Sequence, residues 1–248
     1  MLNVKIIMAK RFPQLFKVLS YIYHARLKRR VWLLNNTPMG TLVYIGANVG
    51  ESVGKIYYKY SQVYCFEPNP INFKILQKKF ENRRNVTLVN AAVSGVNGVA
   101  PFYLSDNANN FASSSLAKFS MARSIRESDV IEVQTIDFLT FFDRNNISVI
   151  DLLVTDTEGY DYSILRSMQA LLTAGKIKKI KSEVVVNGKN NPFESVENYE
   201  HLFDDLLQPH FEKVASGWTE LEEGKHQEVP SDYFFKDVMY VFRPVQDR

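Results

Sequence analysis

Cysteine is almost absent from this chain of 248 residues. The single cysteine, Cys65, excludes an internal disulfide and is typical of a reducing compartment, so we expect a cytoplasmic protein. Because it follows the β-like pair Val63-Tyr64, we interpret Cys65 as a buried, inert thiol rather than a nucleophile.

Long apolar runs are missing as well. No stretch approaches the roughly 18 consecutive apolar residues that a membrane-spanning helix needs. Lysines and arginines interrupt every apolar stretch near the N-terminus, so we expect no signal peptide there. With 46% hydrophobic and 23% charged residues, the composition is that of a soluble globular protein. The length predicts one substantial domain, with or without an extension.

Acidic residues are missing from the first 36 positions, although the whole chain has a formal net charge of only +3. This segment carries eight basic residues, which are Lys5, Lys10, Arg11, Lys17, Arg26, Lys28, Arg29 and Arg30. Apolar residues from Phe12 to Tyr23 recur at helical spacing, which predicts a basic amphipathic arm over 1–36 and a domain over 37–248. We favour packing of this helix on the domain over peripheral contact with a membrane or a polyanion.

A strand, a glycine turn and a helix are predicted at the start of the domain. The apolar run over 42–45 is followed by a turn that Gly46 and Gly50 bracket, and then by a helical pattern over 52–60. Such a unit opens many nucleotide-binding α/β domains. Gly46 would let the backbone reverse, and Gly50 would let a ligand approach the helix N-terminus.

The dinucleotide fingerprint is incomplete at this turn. Asn48 replaces the middle glycine, which lets the main chain touch a pyrophosphate, and Glu51 replaces the third glycine, where its charge would repel a phosphate. A nucleoside without phosphates tolerates both residues, and S-adenosylmethionine (SAM), a sulfonium cation, is such a ligand. Asn48 and Glu51 therefore argue against a nicotinamide-dependent oxidoreductase.

Alternating strands and helices continue along the chain. A long segment over 105–128 has no firm period, and we interpret it as a substrate loop or lid. Further strands are predicted over 62–66, 86–93, 130–135, 149–155, 177–186, 211–215 and 238–242, with a hairpin over 98–104. Helices are predicted over 70–80, 136–142, 160–174 and 195–207.

Acidic side chains follow the predicted strands at their carboxyl ends, where ligands bind in an open α/β sheet. Glu67 comes 21 residues after Gly46, close to the offset of about 20 residues at which an acid binds ribose hydroxyls. The alternative for Glu67 is a solvated acid at a strand end.

Asp156 and Glu158 are the candidates for catalysis. Asp156 directly follows a central strand and is placed to act as the general base for a hydroxyl nucleophile. Together with Glu183 it is also a candidate ligand of a divalent cation such as Mg²⁺. The alternatives are that Asp156 caps the following helix, and that Glu158 and Asp161 place charge in its first turn.

Five blocks over residues 41–186 resemble, in order and spacing, those of FkbM-type methyltransferases. They are YIGANVGE (44–51), FEPNP (66–70), NAAVS (90–94), QTID (134–137) and DLLVTDTEG (151–159). Enzymes of this type are class I, SAM-dependent and commonly methylate hydroxyl groups of sugars and polyketides. Two positions depart from the pattern: Tyr44 stands where an acid is usual, and Val154 where a lysine is usual. Asp156, Glu158 and Gly159 match it, so the site is altered rather than erased.

The resemblance implies an α/β fold with a Rossmann-like, seven-stranded, mostly parallel sheet, helices on both faces and one antiparallel edge strand. For SAM binding it implies Gly46, Asn48, Gly50, Glu67, Asn90, Ala91 and Asp156, with the ribose on Glu67 and the adenine near Asn90. For the substrate loop it implies Ser113, Ser114 and Ser115.

These features predict a SAM-dependent O-methyltransferase that acts on a sugar hydroxyl of a glycan or a glycosylated natural product. The alternatives are a SAM-binding module that has lost activity and, less favoured, the oxidoreductase. No nucleic-acid partner is expected, because the Asn/Asp-Pro-Pro-aromatic block that would hold a flipped base is absent. Four aromatic residues are candidates either for stacking on a sugar ring or for core or lid packing: Phe193, Trp218, Tyr233 and Phe234.

Overall fold

The computed structural model describes residues 29, 36–104, 114–119, 130–186, 193–194, 196–217 and 235–244. Most of the predicted arm over 1–36 lies outside these residues, and so do Ser113, Trp218, Tyr233 and Phe234. The arm, its boundary with the domain and its contacts therefore stay predictions.

Strands and helices alternate through most of the described chain. The strands are β1 (Met39–Ile45), β2 (Tyr60–Phe66), β3 (Val86–Val89), β4 (Ala92–Val93), β5 (Gly98–Tyr103), β6 (Lys118–Phe119), β7 (Val130–Ile136), β8 (Leu152–Thr155), β9 (Lys179–Val185), β10 (Phe193–Glu194), β11 (Phe211–Gly217) and β12 (Phe235–Phe242). The helices are α1 (Glu51–Ile56), α2 (Pro70–Phe80), α3 (Phe138–Arg144), α4 (Asp161–Ser167), α5 (Gln169–Thr173) and α6 (Glu200–Leu207), with a 3₁₀ turn at Tyr57–Lys59.

The main sheet has seven strands in the spatial order β11-β12-β9-β8-β1-β2-β3. All neighbours from β3 to β9 are parallel, whereas β12 is antiparallel to both β9 and β11. The predicted Rossmann-like fold class is confirmed. The antiparallel strand is β12, which is second from the edge of the sheet, and β11 is the edge strand. The chain runs outward from β1 to β3 and later returns to β8 on the other side of β1, so the carboxyl ends of β1 and β8 meet at a topological switch point.

The central strand β1 is buried on both faces. Leu42 and Tyr44 pack in one apolar cluster with α1 and α2, whereas Val43 and Ile45 pack in another with α3 to α6. Successive side chains of a strand point to opposite faces, so this four-residue run holds helices on both sides of the sheet. Cys65 lies buried beside β1, and burial raises the pKa of its thiol to about 12, as expected for an inert residue.

Two smaller sheets lie outside the main one. β5 pairs antiparallel with β7, which also pairs parallel with β4, and β6 pairs with β10. The segment over 98–104 therefore forms one strand with a distant partner rather than the predicted hairpin. Similarly, the predicted strand over 86–93 is divided between β3 in the main sheet and β4 in the three-stranded sheet. None of the helices among the described residues is long and apolar enough to cross a membrane.

Candidate active site

A cleft of about 520 Å³ opens where β1, β2 and β8 end. Residues predicted from the sequence line part of it, namely Gly46, Asn48, Glu67, Ala91, Ser114, Asp156 and Glu158. Residues that no sequence motif singled out line the rest, among them Asn72, Phe102, Leu116, Tyr160 and Ile164.

Gly46 brings the ends of three strands together. Its φ of +86° lies in the left-handed region, and a Cβ at this position would stand 1.9 Å from the backbone oxygen of Asp156. The N–H groups of Gly46 and Ala47 both donate to the carbonyl oxygen of Phe66, at 3.0 and 2.9 Å. A glycine is therefore required for β1 to approach the end of β8 while it remains bonded to the end of β2.

Glu67 is held by two backbone donors, one on each carboxylate oxygen. Its Oε2 accepts from the N–H of Asn48 at 2.7 Å, and its Oε1 accepts from the N–H of Asn69 at 2.9 Å. Burial raises the pKa of this carboxyl to about 7, although both backbone bonds oppose the shift. The carboxyl therefore lines the cleft in a defined orientation, and each oxygen has a further lone pair for a ligand.

Gly50 and Asn90 do not line the cleft and have other contacts. A Cβ at Gly50 would lie 2.6 Å from Cδ1 of Leu76 and 2.7 Å from Cε2 of Phe80, so this glycine permits close packing against α2. Asn90 is exposed, and its Nδ2 donates to the carbonyl oxygens of Glu67 at 2.8 Å and Pro68 at 3.1 Å. It holds the segment that carries Glu67.

The described part of the predicted substrate loop is bonded to the turn after β8. The buried Ser115 donates from Oγ to the carbonyl oxygen of Thr157 at 3.0 Å and accepts from the N–H of Ala117 at 2.9 Å. Ser114 lines the cleft. Phe193 is buried against Gly159, where a Cβ would stand 2.2 Å from the ring, and the ring lies 5.7 Å from that of Phe235. Phe193 therefore packs in the protein rather than lying open for a sugar.

Three carboxylates converge beside the cleft. Asp156, Glu158 and Glu183 each offer an oxygen, and these oxygens lie within 4.8 Å of one another. The structure thus brings Asp156 and Glu183 together as the sequence predicts and adds Glu158, whose backbone has a left-handed φ of +54°. Among the described residues, Oε2 of Glu183 is buried and has no hydrogen-bond partner.

Mutual repulsion and burial raise the pKa values of this cluster. Asp156 is open to the cleft, yet the surrounding protein desolvates it, and together with the charge of Asp237 this raises its pKa to about 6, although Lys181 opposes the shift. Burial, with repulsion from Asp156 and Asp161, raises the pKa of Glu158 to about 8. With a pKa of about 6, Asp156 is ionised at neutral pH and able to accept a proton.

Of the alternatives for the acids at the start of α4, the structure contradicts capping by Asp156 and agrees with the placement of Asp161 in the first turn. Tyr160 is the N-cap residue of α4 and no side chain caps the helix, so Asp156 does not cap it. Asp161 does lie in the first turn of α4, as one alternative expects, and it is fully buried. Its Oδ1 accepts from the N–H of Thr157 at 3.2 Å, which stabilises the turn that carries Asp156 and Glu158.

The two departures from the family pattern face each other. Tyr44 and Val154 are register partners on β1 and β8 and pack in the same buried cluster. Burial and the charge of Asp156 raise the pKa of Tyr44, whose hydroxyl forms a hydrogen bond with Ser52. An acid and a lysine at these positions would be cross-strand neighbours. Their joint replacement by an aromatic and an aliphatic residue leaves no buried charge without its partner.

Two charged residues at this site, Lys181 and Asp237, carry no sequence signal. Lys181 forms an ion pair with Asp237 across 2.8 Å, and both act on the pKa of Asp156. Asp237 is the register partner of Glu183 because β12 pairs with β9. The pairing of two strands that are distant in the sequence creates this contact, so no local motif signals it.

A sequence model of the FkbM methyltransferase domain matches residues 45–208, which is about two thirds of the chain. The chain belongs to the FkbM methyltransferase family. The resemblance carried by the five sequence blocks is thereby confirmed, and the cleft is the candidate active site of a methyltransferase. No curated protein matches the chain in sequence.

Solved structures of other methyltransferases are similar to this FkbM-family chain. Fibrillarin from Aeropyrum pernix, in complex with SAM, is 12% identical with a TM-score of 0.45, and the match covers 81% of this chain and 66% of fibrillarin. A SAM-dependent methyltransferase from Leishmania major is 11% identical with a TM-score of 0.46, over 90% and 73% of the two chains. The N-methyltransferase NodS from Bradyrhizobium japonicum is 7% identical with a TM-score of 0.44, over 90% and 97%.

Substitution of Gly46 tests the backbone approach at the switch point. We expect Gly46→Ala to lower the free energy of unfolding by about 1 to 3 kcal/mol, because the new Cβ clashes with the Asp156 carbonyl in a left-handed conformation. Gly54→Ala is the matched control, since a Cβ at Gly54 meets only the flexible end of Lys79 at 3.4 Å. Denaturation in urea measures both variants, and equal stability of the two would contradict this account.

Glu183→Gln tests the repulsion among the acids. The pKa of Glu183 is raised well above 4.5 by burial and by Glu158, Asp156, Asp161 and Asp237. A raised folded-state pKa stabilises the protein below the unfolded value, and this contribution is lost as the pH rises through the folded value. In EDTA we therefore expect the variant to unfold at a higher temperature than the wild type at pH 8, by about 2–4 °C for each kcal/mol. The difference should disappear near pH 4.5, and a variant that is less stable at both pH values would refute the explanation.

Proposed function

We propose that this FkbM-family protein is a SAM-dependent O-methyltransferase whose acceptor is a hydroxyl group of a sugar, on a glycan or a glycosylated natural product. The observation that carries the proposal is the presence of Glu67 and Asp156 in one cleft, one suited to hold a nucleoside and the other to accept a proton. Asp156 follows β8, which meets β1 at the switch point, and Glu67 follows β2 on the other side of β1.

The charge of the cleft supports SAM as the methyl donor. Its described lining includes the acids Glu67, Asp156 and Glu158, of which Asp156 is ionised at neutral pH, but no lysine or arginine. A cofactor with a pyrophosphate would be repelled by such a lining, whereas the sulfonium of SAM is a cation and is attracted to it. The oxidoreductase alternative is therefore disfavoured by the same residues that favour SAM.

Methyl transfer requires little of the protein beyond alignment and proton removal. The acceptor oxygen forms a bond to the methyl carbon while the bond between that carbon and the sulfonium sulfur breaks, and the hydroxyl proton passes to Asp156. Alignment of donor and acceptor provides most of the acceleration. A base with a pKa of about 6 is ionised at neutral pH and close enough to it to be effective.

A sugar acceptor is supported by the carboxyl groups next to the base. Glu158 lines the cleft beside Asp156, and carboxyl oxygens accept hydrogen bonds from neighbouring hydroxyls. FkbM-type enzymes commonly methylate sugar hydroxyls, and this chain keeps the motif that carries Asp156, Glu158 and Gly159. Both points favour a polyhydroxylated acceptor.

We further propose that Asp156, Glu158 and Glu183 hold a divalent cation such as Mg²⁺. Their oxygens lie within 4.8 Å of one another, and the unpartnered Oε2 of Glu183 is a ready ligand atom. Hard cations prefer such carboxylate oxygens. A bound cation would offset the repulsion among the acids and lower the pKa of an acceptor hydroxyl beside it.

Ligand stabilisation separates donor binding from catalysis. SAM or S-adenosylhomocysteine at a hundredfold excess over its dissociation constant should raise the free energy of unfolding by about 2.7 kcal/mol. We expect Glu67→Ala to lose most of this effect. Asp156→Asn should keep it and lose turnover on a panel of sugars and glycans, measured by mass spectrometry. A Glu67→Ala variant that binds SAM at full strength would refute the ribose assignment, and SAM binding without turnover on any acceptor would favour the inactive module.

Chelation tests the cation. Turnover should fall after treatment with EDTA and return when Mg²⁺ or Mn²⁺ is added, whereas SAM binding should persist throughout because Glu67 is not a proposed ligand. Unchanged turnover in EDTA would remove Asp156, Glu158 and Glu183 as cation ligands while leaving methyl transfer intact.

A further inference from the structure

Asn72 is a buried polar residue in an otherwise apolar stripe. It shares the buried face of α2 with Leu76 and Phe80, at intervals of four residues, and its side chain is only 2% exposed. A polar group in such a place costs stability unless it has a hydrogen-bond partner. Asn72 therefore needs a partner that its position on the helix does not supply.

No such partner is present for its oxygen within the described part of the chain. Oδ1 of Asn72 is buried and accepts no hydrogen bond there. Asn69, three residues earlier, already caps α2 by accepting from the N–H of Ile71 at 2.9 Å, so capping does not explain Asn72. Asn72 lines the cleft together with Glu67, so a ligand bound there can supply the donor.

The neighbouring acceptors indicate which part of a ligand this donor belongs to. Both oxygens of Glu67 already accept one backbone N–H each. Asn48 also lines the cleft, and its Oδ1 is buried without a partner among the described residues. Three acceptors in one cleft suit a ligand face rich in hydroxyl donors and repel a phosphate or a carboxylate. The ribose of a nucleoside presents two adjacent hydroxyls of this kind.

We propose that Asn72 is a further donor-binding residue, whose carboxamide oxygen accepts a hydrogen bond from a ribose hydroxyl beside Glu67. This inference rests on the proposed function, because it takes the nucleoside of SAM as the ligand. Asn72 and Glu67 would thus recognise the ribose together. The cost of the unpartnered oxygen in the empty protein is recovered when the ligand binds.

Asn72→Leu is the decisive variant, because leucine has the same branched shape and number of side-chain heavy atoms as asparagine and continues the apolar stripe. We expect calorimetric titration with S-adenosylhomocysteine to give about tenfold weaker binding, the loss of one hydrogen bond. The unliganded variant should unfold at the same or a higher temperature than the wild type, because an unpaired polar group has been removed. Asn82→Leu, at an exposed site just after α2, is the control and should not change binding.

The 2′-deoxy and 3′-deoxy analogues of S-adenosylhomocysteine identify the hydroxyl. For one of them, wild type and Asn72→Leu should bind equally, because the hydrogen bond is missing from both complexes. The role of Asn72 would be overturned if Asn72→Leu weakened the binding of S-adenosylhomocysteine and of both deoxy analogues equally. An unliganded variant that is less stable than the wild type would also overturn it. Loss of binding in Glu67→Ala but not in Asn72→Leu would overturn it while the proposed function stands. No binding of S-adenosylhomocysteine to the wild type would overturn both.

Discussion

Where β1 ends, the backbone of Gly46 passes so close to the carbonyl oxygen of Asp156 that no side chain fits between them. This approach joins the two strands at the point where the order of the sheet reverses. It places Asp156, the residue after β8, against the turn after β1. The hydrogen bonds from this turn to Phe66 hold the end of β2, and therefore Glu67, beside it. Glu67 and Asp156 therefore share one cleft because of a backbone contact, and the side chains around it are arranged on that frame.

The acids at this site lower the stability of the folded protein at neutral pH. Burial and mutual repulsion raise the pKa values of Asp156, Glu158, Asp161 and Glu183 together, so the folded state binds protons more tightly than the unfolded chain. Asn72 adds an unpartnered oxygen. Proteins retain such features where a ligand compensates them. Their concentration around one cleft is thus an argument for binding that does not depend on sequence motifs.

The sequence predicted the parts of this arrangement that local pattern determines. Apolar runs identified the central strands, and the rule that ligands bind at strand carboxyl ends selected Glu67 and Asp156. Contacts between distant segments were not predictable in this way. Asp237 reaches the acids through the pairing of β12 with β9, and β5 pairs with β7, which lies some 30 residues further along the chain. Asn72 was not predicted for another reason. A polar residue in a helical pattern is expected to be exposed, and only its neighbours in the fold show that it is buried.

The contact between Phe193 and Gly159 links two positions that are far apart in the sequence. The ring of Phe193 occupies the space that a side chain at position 159 would need, and Gly159 closes the turn that carries Asp156 and Glu158. Because Gly159 also has a left-handed φ of +96°, a larger residue at 159 would require both a smaller side chain at 193 and a rearranged turn. The two sites should therefore covary among relatives of this chain, and lineages that lose the ring gain freedom to reshape the turn.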